Sequence, residues 1–235
     1  TKTGQGNATL TSAESIVASL TVSQGILTLG QSGIFTAGAY TTQTGARTEI
    51  SSSARLVING AFSQDLGSSL TVNAGGGSEP IITAADTSLG GTLIIHGFFP
   101  STPTKASELD TSGITVISSS TQIVDDFTTV SFGSFSNPAD YLIAQGGVTN
   151  DRLRYVIGLQ LAWFGGDQTG SGTFTLNAGE TFEIDRELTT QSQSATGWSG
   201  NELIKNGEGT LLLSRVNTYT GATTINGGIL QSGII

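Results

Sequence analysis

Hydrophobic residues recur at every second position of this chain, in short groups divided by Gly, Ser, Asn and Gln. "SLTVSQGILTLGQSGIFTAG" places Leu20 with Val22, Ile26 or Leu27 with Leu29, and then Ile34 or Phe35. "ARLVINGAFSQDLGSSLTVNAGG" places Leu56 with Ile58, then Phe62, then Leu70 with Val72. "GGTLIIHGFF" places Leu93 with Ile95, followed by Phe98 or Phe99. The same grammar closes the chain in "GEGTLLLSRVNTYTGATTINGGILQSG", with Leu211 and Leu213, Thr223 and Ile225, and Leu230. A period of two puts alternate side chains on one face of a strand. Strands of about 4–5 residues, with a turn about every ten, predict an all-β chain.

Two all-β arrangements compete. A β-sandwich wants longer strands and more hairpin signals. The Asn-Gly pairs, Asn59-Gly60, Asn206-Gly207 and Asn226-Gly227, suit either. Loosely spaced, Gly-punctuated short strands favour a parallel β-helix, whose coils stack to bury one continuous core. Coils of roughly 20–25 residues would number about ten and rise to ~45–50 Å. The core would be a narrow column of Leu, Ile and Val, and stacked Asn, Ser and Thr would ladder between coils.

The pattern divides the chain into three regions. Residues 1–122 read as β-helix coils with a polar loop at 100–113, which leads into a strand carrying Ile114 and Val116. Residues 123–200 are richer in aromatics. There "DRLRYVIGLQLAWFGG" and "GTFTLNAGETFEI" look like a strand pair joined through Gly165-Gly166-Asp167 to Gly172, so hairpins are expected to protrude in this middle region. "TTQSQSATGWSG" is a further polar loop. Residues 201–235 read as the terminal coils. Leu211, Leu213, Ile225 and Leu230 are expected in the column there, and Asn217, Tyr219 and Gly221 are expected to shape the turn between strands.

Composition agrees with a solenoid. Charged residues make up 11% and hydrophobic ones 36%, both low for a folded domain, and the deficit is filled by small polar residues and 33 Gly. Most of a solenoid coil is solvated face or turn, so a thin apolar column suffices. There is no Cys, hence no disulfide, thiolate metal site or thiol nucleophile, which suits passage through an oxidising periplasm. A net charge of −9, with nine basic residues scattered singly, argues against nucleic acid as a partner. No apolar run is long enough for a membrane helix, and no signal peptide is visible at Thr1. The abrupt ends suggest a piece of something longer.

The stretch "WSGNELIKNGEGTLLLSRVNTYTGATTINGGILQSG" resembles the passenger-associated repeat of bacterial autotransporters, the type V secretion family. The matching residues are Leu203, Lys205, Gly207, Gly209, Thr210, Leu211, Leu213, Asn217, Thr218, Tyr219, Thr220, Gly221, Thr223, Ile225, Gly228 and Leu230. Upstream, "LAWFGG", "GTFTL" and "ATGW" resemble what precedes this repeat in the adhesin-like branch. The resemblance implies a right-handed parallel β-helix, carried to the cell surface through the periplasm and through its own C-terminal outer-membrane β-barrel. No membrane-strand series follows Ile235, so the chain reads as cargo alone. It also implies an autochaperone-like role for the repeat in passenger folding. Gly207, Gly209, Leu211, Leu213, Asn217, Tyr219, Gly221, Thr223, Ile225 and Leu230 would carry that role. The partner implied is a host-surface or extracellular-matrix ligand, or a second copy of the chain.

Candidates for chemistry are few. His96 is the one histidine and has no nucleophile or orienting acid beside it in sequence, so it reads as a turn or surface residue. No G-x-S-x-G elbow occurs. Some β-helix proteins cleave polysaccharides with carboxylates in a lateral groove. Asp110, Asp125, Asp126, Glu180, Glu183, Asp185 and Glu187 are the candidates for that reading. Glu183, Asp185 and Glu187 alternate and would share one strand face, where they would repel unless Arg186 or a cation such as Ca²⁺ intervened. A solvated strand face is the plainer expectation. Trp163-Phe164 and Trp198 are either sugar-stacking platforms or, as favoured here, covers for an open edge between coils. No cofactor is implied. The reading reached is a non-enzymatic surface passenger acting in adhesion or cell aggregation. A carbohydrate-active β-helix enzyme and a passive stalk for an upstream effector are the alternatives.

Overall fold

A computed structural model describes residues 1–11, 14–30, 33–75, 77–109 and 113–233, with the backbone alone for Glu14 and Ser15. Asp110, one of the candidate carboxylates, lies outside the described residues. In chain order the first strands are β1 (Asn7–Leu10), β2 (Glu14–Val22), β3 (Ile26–Leu29), β4 (Gly33–Thr42), β5 (Arg47–Ile50), β6 (Ala54–Gln64), β7 (Ser69–Asn73), β8 (Ile82–Ser88), β9 (Thr92–His96), β10 (Ile114–Ser119) and β11 (Thr129–Ser131). There follow β12 (Leu142–Val148), β13 (Arg154–Leu161), β14 (Thr173–Thr175), β15 (Thr181–Ile184), β16 (Leu203–Asn206), β17 (Thr210–Leu213), β18 (Thr223–Ile225) and β19 (Ile229–Ser232). The residues gather into two compact units. One holds 1–99, 114–135 and 146–157; the other holds 100–113, 136–145 and 158–235.

The first unit is a parallel β-solenoid. One sheet runs β1-β3-β5-β7-β9-β11 and a second runs β2-β4-β6-β8-β10, all parallel. Ile26 pairs with Arg47, Arg47 with Ser69 and Ser69 with Thr92, so the advance from coil to coil is nearly constant. The alternation decides which residue faces inward. Phe35 is buried and Ile34 is 53% exposed; Phe98 is buried and Phe99 is 87% exposed. Val22, Leu29, Leu56, Leu70, Val72, Leu93 and Ile95 fill the column.

Two expectations are corrected here. Strands of the second sheet are long, up to the 11 residues of β6, where the sequence predicts short ones. Gly38 and Gly60 lie inside β4 and β6 rather than between strands. The register shifts across both, between Ala37 and Tyr40 and between Ile58 and Ala61, as a bulge bends the strand around the core. A Cβ at Gly38 would meet the Ala18 carbonyl, and one at Gly60 the Gly38 carbonyl, so close stacking at the bend demands glycine. The column is also not purely aliphatic. Tyr40 Oη lies 2.8 Å from Thr48 Oγ1, which lies 2.7 Å from Thr42 Oγ1. Gln64 Nε2 donates to Thr42 Oγ1, and Ser68 Oγ donates to Gln64 Oε1. This buried chain of hydroxyl and amide groups satisfies itself across coils, and burial raises the Tyr40 hydroxyl well above the ordinary tyrosine range.

Residues 146–157 form a hairpin, closed by the Arg152 N–H donating to Thr149 O. Its β13 arm docks antiparallel on β10, where Tyr155 meets the Phe127 ring edge-on at 5.0 Å. A hairpin in the middle region is thus present.

The second unit is also a parallel solenoid. Its two three-stranded sheets run β14-β16-β18 and β15-β17-β19. The runs around β13 and β14 do not pair with each other as their alternation suggests. β14 pairs with β16, and the link between β13 and β14 is a turn of 3-10 helix (Ala162–Phe164) followed by a single turn of α-helix, α1 (Gly166–Thr169). β13 lies between the adjacent β12 and the more distant β10, and β14 finds its partner in Leu203–Asn206, a choice that local periodicity cannot report. Trp163 is fully buried and donates from Nε1 to Thr189 O at 2.8 Å; it meets Trp198 edge-on at 4.9 Å. Both indoles are buried here, which leaves no open ring face for a sugar. Residues 105–107 of the polar loop are tied down as well. Lys105 makes a parallel bridge to Glu183, and Ser107 donates its N–H to Asp185 Oδ1 at 2.8 Å.

Candidate functional site

Two pairs of strands build the terminal coils. β16 and β18 form one face, with Leu203 opposite Thr223 and Lys205 opposite Ile225; β17 and β19 form the next, with Leu211 opposite Leu230. The turn joining each face to the next carries a glycine with positive φ, Gly207 at 73° and Gly228 at 66°. L-residues avoid that region, and here there is no room either. A Cβ on Gly207 would meet Leu176 O, and one on Gly228 would meet Gly209 O. Gly209 and Gly221 have ordinary φ but the same crowding, against Asn177 O and Asn201 O respectively. The repeated glycines therefore let turn backbones stack at strand distance.

Lys205 sits on the inward face of β16 and is fully buried. Its ammonium donates to the carbonyls of Asn206 (2.7 Å), Gly207 (2.7 Å) and Gly227 (3.2 Å). The first two belong to its own turn and the third to the turn of the next coil. One cation thus fastens two stacked turns with charge-assisted bonds. Desolvation pulls its pKa below the ordinary lysine value, with the nearby Glu208 opposing. Beside it, Asn226 Nδ2 donates to Asn206 Oδ1 at 2.9 Å, an asparagine ladder between the same turns.

The loop 214–222 docks on the preceding coil. Asn217 Oδ1 accepts the Leu188 N–H at 2.8 Å while its Nδ2 donates to Arg215 O. Tyr219 gives its N–H to Leu188 O, its hydroxyl lies 2.7 Å from Thr223 Oγ1, and its ring meets Trp163 edge-on at 5.1 Å. Of the four aliphatic residues expected in the column, Leu211 is fully buried. Leu213 and Leu230 are half-buried and Ile225 is 52% exposed. Ile225 and Leu230 lie on β18 and β19, and among the described residues no further strand stacks on those two. Thr223 is exposed on the same strand as Ile225.

A family model described as the passenger-associated-transport-repeat matches residues 203–231, the segment just built. Over 239 aligned positions the chain is 30% identical to the adhesin BmaC autotransporter of Brucella suis biovar 1 (strain 1330), an alignment that covers 96% of this chain. The repeat and this likeness together support an autotransporter passenger. The chain spans 7% of that relative's length, and no solved structure matches it. For a passenger the relation implies export to the cell surface or the extracellular space.

The remaining candidates are dispersed. His96 is exposed at the end of β9. Asp125 and Asp126 lie in the first unit, where Asp126 Oδ1 accepts the Phe127 N–H and burial raises its pKa. In the second unit Glu183, Asp185 and Glu187 do not share one strand face, because β15 ends at Ile184. Asp185 is held by Ser107, and Glu187 accepts from Thr218 Oγ1 at 2.6 Å. A groove of about 660 Å³ in this unit is lined by Asp140, Tyr141 and Glu180, but each carboxylate there is already engaged by a neighbouring segment. Asp140 accepts from Thr175 N–H and Oγ1, and Glu180 from Asn177 N–H and Nδ2. Those Asn177 bonds hold the Glu180 pKa below the usual range, opposite to what a general acid requires. Among the described residues no group of three or more His, Asp or Glu is placed to hold a metal. Lys205 is visible within the repeat signature, but nothing local announces that its ammonium will be enclosed. That enclosure depends on the Gly227 carbonyl, which the next coil supplies.

Proposed function

We propose that this segment is a non-enzymatic, surface-exposed part of an autotransporter passenger that acts in adhesion or cell aggregation, and that its terminal repeat promotes folding of the passenger during secretion. The observation that carries the folding role is the construction of the repeat. Stacked glycine turns, a lysine shared between two turns and a loop docked on the preceding coil give the matched segment contacts that depend on coil-on-coil register. A coil so completely specified is a suitable place for stacking to begin and spread to neighbours. The adhesive role rests on the likeness to a protein named as an adhesin, and on flanks rich in Ser, Thr and Asn with few charges. Many weak polar contacts along a flank would supply binding to a host-surface or matrix ligand, or to a second copy. The C-terminal outer-membrane barrel of the same protein would be the export partner.

The test is to display the segment on cells and score adhesion and aggregation across single alanine substitutions on the exposed strand faces. Each change should weaken attachment modestly. One substitution that abolished it would point to a concentrated site and refute the distributed mechanism.

A further inference from the structure

The repeat at the end of the chain has an unassigned counterpart at its start. Lys2 donates from Nζ to the carbonyls of Thr3 (3.3 Å), Gly4 (2.7 Å) and Gln24 (3.0 Å). Two of these belong to its own turn and the third to the turn of the next coil. Lys205 contacts the residues at the same three offsets along the chain.

The correspondence extends through the surrounding backbone at one constant displacement, the one that carries Lys2 onto Lys205. β1 (Asn7–Leu10) falls on β17 (Thr210–Leu213), and β3 (Ile26–Leu29) falls on β19 (Ile229–Ser232). Asn7 pairs with Ile26 as Thr210 pairs with Ile229. The Ser23 N–H donates to Lys2 O at 2.9 Å, and the Asn226 N–H donates to Lys205 O at 2.9 Å. The Gly30 N–H donates to Leu10 O at 2.9 Å, and the Gly233 N–H donates to Leu213 O at 2.8 Å. Gly4 and Gly25 have φ of 82° and 68°, matching Gly207 and Gly228 at 73° and 66°. A Cβ on Gly25 would strike Gly6 O and Gly4 O, and one on Gly228 would strike Gly209 O and Gly207 O. Lys, both turn glycines and Gly6/Gly209 are identical in sequence, as are Leu10/Leu213 and Ile26-Leu27/Ile229-Leu230. The copies part company between these elements. β2 is a continuous strand of nine residues, whereas a docked loop precedes the three residues of β18.

We infer that residues 2–30 are a second stacking unit of the same kind as residues 205–233, in which the Lys2 ammonium locks the turns of two successive coils and gives coil formation a second starting point. The inference rests on the reading of the terminal repeat as a folding element. Its physical basis is that one ammonium reaches the carbonyls of two turns only when both coils are in register. Lys205 is fully buried and Lys2 half-exposed, so the lysine at the start favours the correct stack less strongly than its counterpart.

The test uses the whole chain with Lys2→Met and Lys205→Met, each keeping an apolar stem without the donors, and the double variant. Amide exchange is followed by mass spectrometry over residues 2–11 and 20–30 and over 205–213 and 224–233, with refolding from urea timed in parallel. Each variant should speed exchange about three- to tenfold in its own unit and slow refolding, and the double variant should be slowest. Lys2→Met that exchanges and refolds as the wild type, beside a Lys205→Met that does not, overturns this inference and leaves the terminal repeat's role standing. If both variants behave as wild type, both readings fall. A separate chain in which Lys2–Leu10 is replaced by the sequence of Lys205–Leu213 should fold with unchanged protection in residues 20–30. Loss of that protection would show that the two units are not equivalent.

Discussion

Leu211→Ala measures how far the terminal coils depend on one inward side chain. Leu211 is fully buried in register between Phe182 of β15 and Leu230 of β19. Truncation leaves a cavity that a stacked sheet cannot close, because main-chain hydrogen bonds to both neighbours hold the strand spacing. The expected cost is about 2–5 kcal/mol. Leu213, two residues on and on the same face, is only half-buried, opposite Ile184 and Ser232. Leu213→Ala should cost about 1 kcal/mol, since less apolar surface leaves water. A solenoid opens locally from its weakest coils, so a global melting point would blur the contrast. Native-state amide exchange over residues 203–232 resolves it. Leu211→Ala should speed exchange there about 30-fold to several thousandfold, and Leu213→Ala about fivefold. Equal effects, or a larger one for Leu213, would refute the assignment of the column in this unit.

Two further predictions concern turns and charge. Gly207→Ala adds a Cβ against Leu176 O as well as strain at positive φ, whereas Gly179, at φ 83°, has open space around it; urea unfolding should show Gly179→Ala costing about 1 kcal/mol and Gly207→Ala clearly more. At Asp185 burial acts to raise the pKa, but the hydrogen bonds from Ser107 outweigh it and hold the carboxyl below its ordinary value. A carboxylate lowered in the fold contributes stability above its unfolded pKa and loses it as pH falls through the folded one. Wild type should therefore lose protection of residues 104–108 as pH falls through and below the ordinary aspartate range, and Asp185→Asn should flatten that part of the profile; identical profiles would show that the contact is not coupled to stability.

Much of the fold is legible in the chain because solenoid coils are built from local pattern. Alternation at Leu27-Leu29, Leu70-Val72 and Leu93-Ile95 reports strand faces directly, and the nearly constant advance per coil follows from strand plus turn length. Where the pattern misleads, the deciding contact is remote. Gly38 and Gly60 have the look of breaks, but bulges keep β4 and β6 continuous through pairing with the neighbouring coil. The sequence leaves Trp163 and Trp198 open between sugar platforms and edge covers, and each is buried with its indole N–H given to a backbone carbonyl, of Thr189 and Glu202. Glu183, Asp185 and Glu187 alternate, but the strand ends before it can align them.

By itself the sequence determined the class of structure, the inward identity of most aliphatic residues and the repeat at 203–231, since each is written in periods of two and in glycine positions. Only the tertiary structure decided what the polar residues do. Lys205 is an ordinary basic residue until a second turn places the Gly227 carbonyl over its ammonium. Lys2 is likewise ordinary until Gln24 does the same. Ile225, paired with Lys205 across the sheet, is 52% exposed on a strand on which no further strand stacks among the described residues. A side chain's direction is local, but its partner is supplied by the next coil.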